Sequence, residues 1–489
     1  MINQQNNKQT FLGEGSYGCV IKPGYSCNGD TNKSKTKVTK ITEINFASLN
    51  EFYISNMIKN IKINNKKIYH NHFVPINKKC NVKYNILKNF QIDKCNNFLD
   101  NIYDYNFNNT LFTKQFFIFT LKYVDGLKIK KYLLGKKFND DYFSISNTVS
   151  SLNTDNYSNY QIFFNNFITS YFYLLKSIIL MQNNNIIHND LYNRNMLFEL
   201  KKNKPLIIDF GLSYDKKKFY KNTKNYTIDI KYIHSFFFDY REKHYDLNTE
   251  KRFISFIINN KSNYFTNRVT KSYQKNELTK NIIDNFINDI MDTIKKKDCF
   301  NYIFENDEFN YYKNSLEKFY YDFLDKNKYD TYFKIINKLL TNVFQYTDLY
   351  SLTLEYIEIL FYFKFNNNYF DNKYSNSLLY LFIQIFKIII LPDHNKKINT
   401  NQIFIIFKFI LDKIYNYNNT NQDNLNTETD TQNEIIFQEF KDILKKNNID
   451  INLFNNKKYS YFDFKKLLFN NETIKDLKKI NIKYHQFNY

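Results

Sequence analysis

Short apolar runs separated by polar stretches fill the first quarter of the chain and predict strands. Residues 10–22 hold two such runs around a glycine-rich turn, which predicts a β-hairpin. Residues 37–41 and the continuously apolar residues 116–121 predict two further strands. Between these strands lies a predicted helix, whose apolar positions recur at helical spacing: Phe46, Leu49, Phe52, Tyr53 and Met57.

The pattern changes to long helical stripes further along. One stripe covers residues 163–181, another lies within residues 282–291, and residues 355–413 read as a series of apolar helices. The most apolar run, residues 378–391, is too short to cross a membrane and contains Gln384 and Lys387, so it predicts a buried helix. The elements together predict an α+β protein with a small β-rich part followed by a larger helical part.

Composition adds less than it first suggests. In 489 residues Asn, Lys, Ile, Tyr and Phe dominate, with 8 Gly, 4 Pro and no Trp, a bias typical of A/T-rich coding. The formal charge of +21 comes from scattered lysines. A nucleic-acid site would concentrate them on one face, so no specific nucleic-acid partner is expected. An acidic protein substrate would use the charge equally well.

The five cysteines are widely spaced and include no C-x-x-C pair. We therefore expect neither a disulfide framework nor a structural zinc site, and an intracellular, reducing compartment. The polar residues 1–10 predict no signal peptide.

Candidate chemistry lies in two segments near the middle of the chain. Residues 186–198 hold Asp190 and, five residues later, Asn195, between apolar pairs. Asp209 follows in the segment Ile-Ile-Asp-Phe-Gly. Phosphoryl transfer from a metal nucleotide needs a base for the attacking hydroxyl and oxygen ligands for magnesium. Asp190 is the candidate base, and Asn195 and Asp209 are the candidate metal ligands.

The glycine-rich turn and the next strand supply candidate nucleotide contacts. The motif G-x-G-x-x-G-x-V is formed by Gly13, Glu14, Gly15, Ser16, Tyr17, Gly18 and Val20. A dinucleotide-binding turn shares the glycines but needs a helix directly after them, whereas here a strand follows. Lys40 is the candidate phosphate-contacting lysine, ahead of Lys35 and Lys37. Glu51 is its candidate partner, ahead of Glu43.

These motifs, in this order, resemble those of the protein-kinase superfamily, and more narrowly putative serine/threonine kinases of giant DNA viruses. The resemblance implies a bilobal fold, with a small β-rich N-lobe and a large, mainly helical C-lobe carrying insertions. It also implies ATP and Mg²⁺ as cofactors and a protein substrate. Tyr123 and Val124 then fall in the hinge that contacts adenine. His188 and Phe210 would be structural.

Two positions depart from the family pattern. Asn189 stands where many kinases have an Arg that binds a phosphate on the activation loop, so activation by phosphorylation is not expected. Tyr192 replaces the usual catalytic-loop Lys, and Arg194 is the candidate that reaches the transferring phosphate.

Two landmarks are expected after residues 209–213, called the metal loop for the candidate ligand Asp209. Glu250 is the candidate for the A-P-E glutamate. Asp348, in a D-x-Y-S-L segment, is expected to open the central helix of the large lobe and to accept hydrogen bonds from the backbone around His188 and Asn189.

The resulting domain prediction is an N-lobe over residues 1–122, a C-lobe over 123–415, a polar linker over 416–434 and a helical tail over 435–489. Loops or insertions are expected at 136–160 and 255–346. Two other functions fit the motifs: a pseudokinase that docks partners, and a kinase-like phosphotransferase acting on a small molecule.

Overall fold

Two compact units make up the computed structural model. The first comprises Met1–Ile129 and Asn183–Asp215, and the second comprises Lys130–Gln182 and Lys216–Tyr489. The structure describes residues 10–15, 18–22, 24–25, 27, 36–83, 87, 95, 98, 115–135, 156–222, 227–237, 248–260, 265–267, 274–276, 278–367, 378–390, 397–420 and 429–451.

The first unit is built on an antiparallel sheet of five strands in the order β1-β2-β3-β7-β6. Its strands and helices are β1 (Thr10–Gly15), β2 (Gly18–Lys22), β3 (Lys37–Glu43), α1 (Phe46–Lys59), β4 (Lys62–Ile63), β5 (Lys66–Lys67), α2 (Tyr69–His72), β6 (Lys78–Lys83), β7 (Gln115–Lys122), β8 (Gly126–Lys128), β9 (Ile186–Ile187), β10 (Met196–Glu199), β11 (Lys204–Ile207) and β12 (Tyr214–Asp215). The predicted hairpin, strands and first helix are all present.

The register of the sheet places Lys40 at its centre. Lys40 pairs with Val20 on β2 and with Phe119 on β7. Side chains of directly paired residues project from the same face of a sheet. Val20 and Lys40, predicted to contact the nucleotide, therefore share one face.

Helix α1 starts at a capping box, in which the side chain of Asn45 accepts from the backbone of Ser48 and the side chain of Ser48 accepts from the backbone of Asn45. Such a box satisfies two N–H groups that have no partner inside the helix. The helix buries Glu51, Ile54 and Ile58 on one side.

Residues 186–207, which hold the candidate base and one candidate metal ligand, join the first unit through short strands. Strand β10 lies between β8 and β11, and β9 pairs with β12. A Cβ at Gly126, on β8, would collide with the carbonyl oxygen of Phe198, so glycine is what lets β8 approach β10. Residues 183–215 consequently fall in the same unit as the sheet, although the sequence suggested the C-lobe for them.

The second unit is mainly helical. Its helices are α3 (Ile129–Leu134, from the last residue of the first unit), α4 (Asn156–Asn183), α5 (Ile230–Phe237), α6 (Thr249–Asn259), α7 (Lys280–Lys295), α8 (Asp298–Ile303), α9 (Asn306–Asn327), α10 (Tyr332–Asn367), α11 (Leu378–Ile390), α12 (Thr400–Thr420) and α13 (Thr429–Lys446), with short strands β13 (Tyr220–Asn222), β14 (Thr227–Ile228), β15 (Phe265–Asn267) and β16 (Gln274–Asn276). The α+β class, with a small sheet and a mostly helical remainder, is thereby confirmed.

Aromatic side chains pack α4 against α10, α11 and α12. Tyr171 contacts the rings of Tyr356 and Phe407, and its hydroxyl lies 2.8 Å from that of Thr353. The hydroxyl of Tyr356 donates to Ser170 at 2.8 Å. The buried hydroxyls of Tyr171 and Tyr356 thus have partners, which avoids the cost of an unpaired polar group.

The expected position of Asp348 is wrong. Helix α10 begins at Tyr332, so Asp348 lies within it and does not open it. The polar pair Thr347 and Asp348 resembled a helix start, but apolar residues continue the helical spacing before it, and they are buried: Ile335, Ile336, Leu339, Leu340, Val343 and Phe344. Asp348 is fully buried, and its bracing of the catalytic loop stays a prediction.

The stretch expected as an insertion is largely helical. It contains the C-terminal part of α6, all of α7 to α9 and the start of α10. Phe253 of α6 packs on Phe286 of α7 and on Tyr320 of α9. Glu308 of α9 forms a buried ion pair with Lys387 of α11 at 2.8 Å. These helices are therefore part of the core of the second unit.

Two other stretches differ from expectation at their edges. Helices α12 and α13 reach into residues 416–434, expected as a linker. Helix α4 begins within residues 136–160, of which 136–155 lie outside the described residues, as does the tail beyond residue 451. In the described part of the chain, no helix combines the length and apolar character needed to cross a membrane.

The expectation of unpaired cysteines is wrong. Cys19 is bonded to Cys95 and Cys27 to Cys80, across Cα–Cα distances of 5.9 and 5.8 Å. The partners are 76 and 53 residues apart in sequence, so their spacing gave no sign of pairing. Two disulfides are not typical of a reducing compartment, which counts against the expected location.

Candidate active site

Lys40 joins the sheet, helix α1 and the metal loop. Its Nζ lies 2.9 Å from Oε2 of Glu51 and 3.1 Å from Oδ1 of Asp209. The side chains of Lys40 and Glu51 are 13% and 4% exposed, whereas that of Asp209 is 43% exposed. The lysine therefore fixes both carboxylates, and only that of Asp209 is open to a ligand. The structure assigns this pairing to Lys40 and Glu51; Lys37 is exposed at the start of β3.

Burial and charge act against one another in this cluster. Burial alone would lower the pKa of Lys40, but the carboxylates of Asp209 and Glu51 raise it above its ordinary value. Burial raises the pKa of Glu51 to about 7, against the opposing effect of Lys40. The pKa of Asp209 is lowered, because Lys40 outweighs the effect of burial. Asp209 is thus the carboxylate that the cluster keeps ionised.

Asp190 and Asn195 form a second pair. Nδ2 of Asn195 donates to Oδ2 of Asp190 at 2.9 Å and to the backbone oxygen of Asp190 at 2.7 Å. The backbone oxygen of Asn195 in turn accepts from Ile208 at 3.0 Å. Asn195 therefore orients the candidate base and links its loop to the strand that leads to Asp209.

The side-chain oxygen atoms of Asn195 and Asp209 suit magnesium. Because the amide nitrogen of Asn195 is committed to Asp190, its oxygen is the atom left for a cation. Asp209 supplies an exposed carboxylate. Mg²⁺ commonly binds to one or two protein oxygens and completes its shell with phosphates and water. Within the described ranges no cluster of three His, Cys, Asp or Glu side chains offers a cage for a metal.

Two residues of the site hold left-handed backbone conformations. Asn189 has φ 66° and Asp209 has φ 58°. Asn and Asp adopt this region more easily than other residues that carry a side chain. Such outliers persist where the surrounding structure fixes them, as at binding and catalytic sites. An Asn at position 189 therefore suits the backbone there, whatever its effect on regulation.

His188 and Phe210 are structural, as the resemblance implied. The ring of His188 is fully buried and its Nε2 lies 3.0 Å from the backbone oxygen of Ile208. Phe210 packs edge-on against the rings of His188 and Phe73. These contacts join the catalytic loop, the metal loop and the residues before β6.

The glycine-rich hairpin forms as predicted, with Gly15 paired to Gly18, Glu14 to Cys19 and Gly13 to Val20. Ser16 and Tyr17, at its tip, lie outside the described residues. A Cβ at Gly18 would collide with the carbonyl oxygen of Ile41 on β3. Strand packing alone therefore requires glycine at position 18.

The positions of Tyr123, Val124 and Arg194 do not test the ligand contacts predicted for them. The backbone N–H of Tyr123 donates to Thr36, and Lys22 lies over its ring with Nζ 3.4 Å from the centroid. Val124 is half-buried beside it. Arg194 is exposed, with its guanidinium 5.0 Å from the ring centroid of Tyr192. Adenine contact by the first two and phosphate contact by Arg194 stay predictions.

Glu250 lies in the second unit. It occupies the first turn of α6, is 1% exposed, and forms an ion pair with Lys397. Its assignment as the A-P-E glutamate is untested, and residues 238–247 before it lie outside the described residues.

Sequence reasoning missed Asn50 and Tyr53 of α1. Nδ2 of Asn50 donates to the backbone oxygens of Gly211 and Ser213, and the hydroxyl of Tyr53 donates to Asp215 at 2.7 Å. Asn50 precedes Glu51, and an Asn in an Asn-rich chain carries no signal. Tyr53 was counted only as part of the apolar stripe.

Comparison with known proteins gives limited likeness. No family model matches the chain, and no curated protein matches it. Among solved structures, the Cydia pomonella granulovirus kinase PK-1 is similar with TM-score 0.24 and 16% identity, over 42% of this chain and 55% of that one. Two variants of the Mycobacterium tuberculosis PknI kinase domain are similar with TM-scores 0.22 and 0.21 and 13% and 12% identity. Each covers 41% of this chain and 57% of its own.

The chain thus spans little more than half the length of the solved structures it matches. All three are kinases. Because the TM-scores are low, this likeness says nothing about the chemistry of the site.

Proposed function

We propose that the chain is an ATP- and Mg²⁺-dependent protein kinase that transfers the γ-phosphoryl group to Ser or Thr hydroxyls. The observation that carries this proposal is Lys40, whose Nζ contacts both Glu51 and Asp209 in the unit that also contains the Asp190–Asn195 pair. A lysine paired with a helix glutamate, an ionised metal ligand and a positioned base are the parts that this reaction requires.

Each side chain has a separate task in this mechanism. Asp190, oriented by Asn195, accepts the proton of the attacking hydroxyl. Asn195 and Asp209 would hold magnesium, which when bound neutralises charge on the phosphates. Lys40, fixed by Glu51, presents its ammonium to the phosphates, and the glycine-rich hairpin offers backbone N–H groups. Positioning of this kind accounts for much of the rate of phosphoryl transfer.

A small-molecule phosphotransferase is the second candidate. Asn189 favours it, because an H-x-D loop without Arg resembles the loop of kinase-like small-molecule phosphotransferases. The carboxamide of Asn189 donates to the backbone oxygen of Leu212, so it is engaged within the protein. The resemblance to kinases of giant viruses likewise remains part of the proposal. A pseudokinase is disfavoured because every residue needed for the chemistry is present.

Two aspartate variants test the proposal. Asp190→Ala should keep Mg²⁺-nucleotide affinity and lose about 10²–10⁴-fold in kcat, the usual contribution of a general base. Asp209→Ala should lose Mg²⁺-dependent nucleotide binding. The measurements are transfer of labelled phosphate from ATP to a mixed protein substrate, with phosphoamino-acid analysis, and binding of a non-hydrolysable ATP analogue.

Asp325→Ala, an exposed change on α9, is the control and should behave as wild type. A wild-type rate in Asp190→Ala would remove Asp190 as the base. Label on a small alcohol or amine and none on protein would select the second candidate. Phosphotyrosine would replace the Ser/Thr assignment, and no transfer from a protein that binds Mg²⁺-nucleotide would leave the pseudokinase.

A further inference from the structure

The segment after Asp209, the candidate metal ligand, has no strand neighbour between Phe210 and Ser213, so its carbonyl groups need other partners. Side chains supply them. Asn50 donates to Gly211 at 3.0 Å and to Ser213 at 2.5 Å, and Asn189 donates to Leu212 at 3.0 Å. Three consecutive carbonyl oxygens are therefore held by two carboxamides.

Asn50 is the more informative of the two, because it connects different parts of the site. It is 6% exposed on α1, directly before Glu51. Both hydrogens of its amide nitrogen are used, one on each carbonyl, which fixes the carboxamide in a single orientation. One side chain thus ties the helix that carries Glu51 to the loop that carries Asp209.

A second contact reinforces the same connection. The hydroxyl of Tyr53, one turn further along α1, donates to Oδ2 of Asp215 on β12. Helix α1 is therefore attached to the metal loop and to the strand after it by neutral side chains that need no phosphate.

We propose that Asn50 is a positioning residue, which holds α1 and the metal loop in register so that Lys40 meets both Glu51 and Asp209. This rests on the proposed function for the identity of the ligand. This role of Asn50 also gives a physical reason to expect activity without phosphorylation of the segment that follows the metal loop. The hydrogen bonds from the Asn50 carboxamide to the loop backbone already keep Glu51 and Asp209 together at Lys40.

Asn50→Asp separates positioning from packing. The substitution keeps the shape but replaces two donors by a carboxylate facing two carbonyl oxygens. If the donors matter, Asp should therefore be worse than Ala, whereas a role in packing alone would make Asp the milder change. Asn56→Ala is the matched control, because Asn56 lies on the same helix and, in the described part of the chain, has no hydrogen bond to residues 208–215.

The readout is affinity for a non-hydrolysable ATP analogue, with and without Mg²⁺, alongside thermal unfolding. Asn50→Asp should weaken Mg²⁺-nucleotide binding about tenfold, equivalent to ~1.4 kcal/mol. Metal-free nucleotide binding should change far less, because the lost hydrogen bonds hold the loop beside Asp209, whereas the pairing of Lys40 with Glu51 involves no contact with that loop. Asn50→Ala should fall between Asn50→Asp and the control.

Wild-type Mg²⁺-nucleotide affinity in Asn50→Asp would overturn the inference, as would an equal loss with and without metal. If the Asp variant fails to fold, Asn50→Ala decides by the same metal-dependent difference. The binding measurement requires no transfer. If the wild type transferred no phosphate yet showed this dependence, only the proposed function would fail. If it transferred phosphate and the variants bound normally, only this inference would fail.

Discussion

At the scale of single residues, the cluster around Lys40 contains one cation and two carboxylates. The structure divides their roles by exposure: Glu51 is enclosed and Asp209 is accessible. One carboxylate therefore fixes the lysine while the other remains available to a metal. The pKa values of the two acids are shifted in opposite directions: burial raises that of Glu51, whereas Lys40 outweighs burial and lowers that of Asp209. The shift at Glu51 should have a measurable effect on stability.

The prediction concerns Glu51 and pH. Its pKa is raised from 4.5 to about 7, so the folded protein binds this proton more tightly than the unfolded chain does. The stabilisation is complete below pH 4.5 and is lost as the pH rises to about 7. With about 1.4 kcal/mol per pKa unit, the contribution is at most ~3.5 kcal/mol.

Glu51→Gln removes the titrating group and keeps the size of the side chain. We expect the free energy of unfolding of the wild type to fall relative to that of Glu51→Gln between pH 5 and pH 8. Urea unfolding without nucleotide measures both. Lys40 and Asp209 titrate outside this window, because the pKa of the first is raised and that of the second lowered. A difference that is constant with pH would contradict the prediction.

At the scale of elements, the glycine-rich turn and the Asp-Phe-Gly segment differ in how much room they leave for a side chain at their glycines. Gly18 has no room for a Cβ beside Ile41, whereas a Cβ at Gly211 would meet its nearest atom, Oδ1 of Asp209, at 3.5 Å, an ordinary contact. Gly18→Ala should therefore destabilise the sheet by about 1–3 kcal/mol, the usual cost of overpacking.

Gly211→Ala is the matched control, with a much smaller expected loss of stability. Thermal unfolding without nucleotide compares them directly. Equal losses would show that the approach of β2 to β3 does not determine the choice of glycine at position 18.

Local patterns predicted many of the elements and pointed to residues that the structure brings together, while the chemistry of those residues stays a prediction. The hairpin, Lys40, Glu51 and the Asp190–Asn195 pair follow from short motifs and periodicity, which a single sequence displays. Asn50 could not be predicted, because its role depends on which carbonyl groups the fold leaves unpaired. The start of α10 was missed for a related reason: a polar pair interrupted an apolar pattern that packing continues through.

At the scale of the whole molecule, residues distant in sequence meet in the first unit. The candidate catalytic residues come from two chain segments, up to Ile129 and from Asn183 to Asp215. Both disulfides also lie in this unit. They link β2 and β6, which lie near opposite ends of the sheet order, to loop residues, so the covalent bonds limit how far the unfolded chain can expand around the site.

The last prediction follows from those bonds. Closing loops of 76 and 53 residues constrains the unfolded chain, and each disulfide should contribute about 2–4 kcal/mol to stability. Reductant should therefore lower the thermal unfolding temperature of the wild type. Cys299→Ser should leave the effect of reductant unchanged, because Cys299 takes no part in either disulfide, whereas Cys19→Ser should remove much of it. Burial raises the pKa of the Cys299 thiol to about 12, so this thiol should react with an alkylating agent only after unfolding. Without reductant the other four cysteines stay in disulfides, so the unfolded protein should gain a single label. Five labels on unreduced, unfolded protein would show that the cysteines are unpaired, and would restore the reducing compartment that their spacing first suggested.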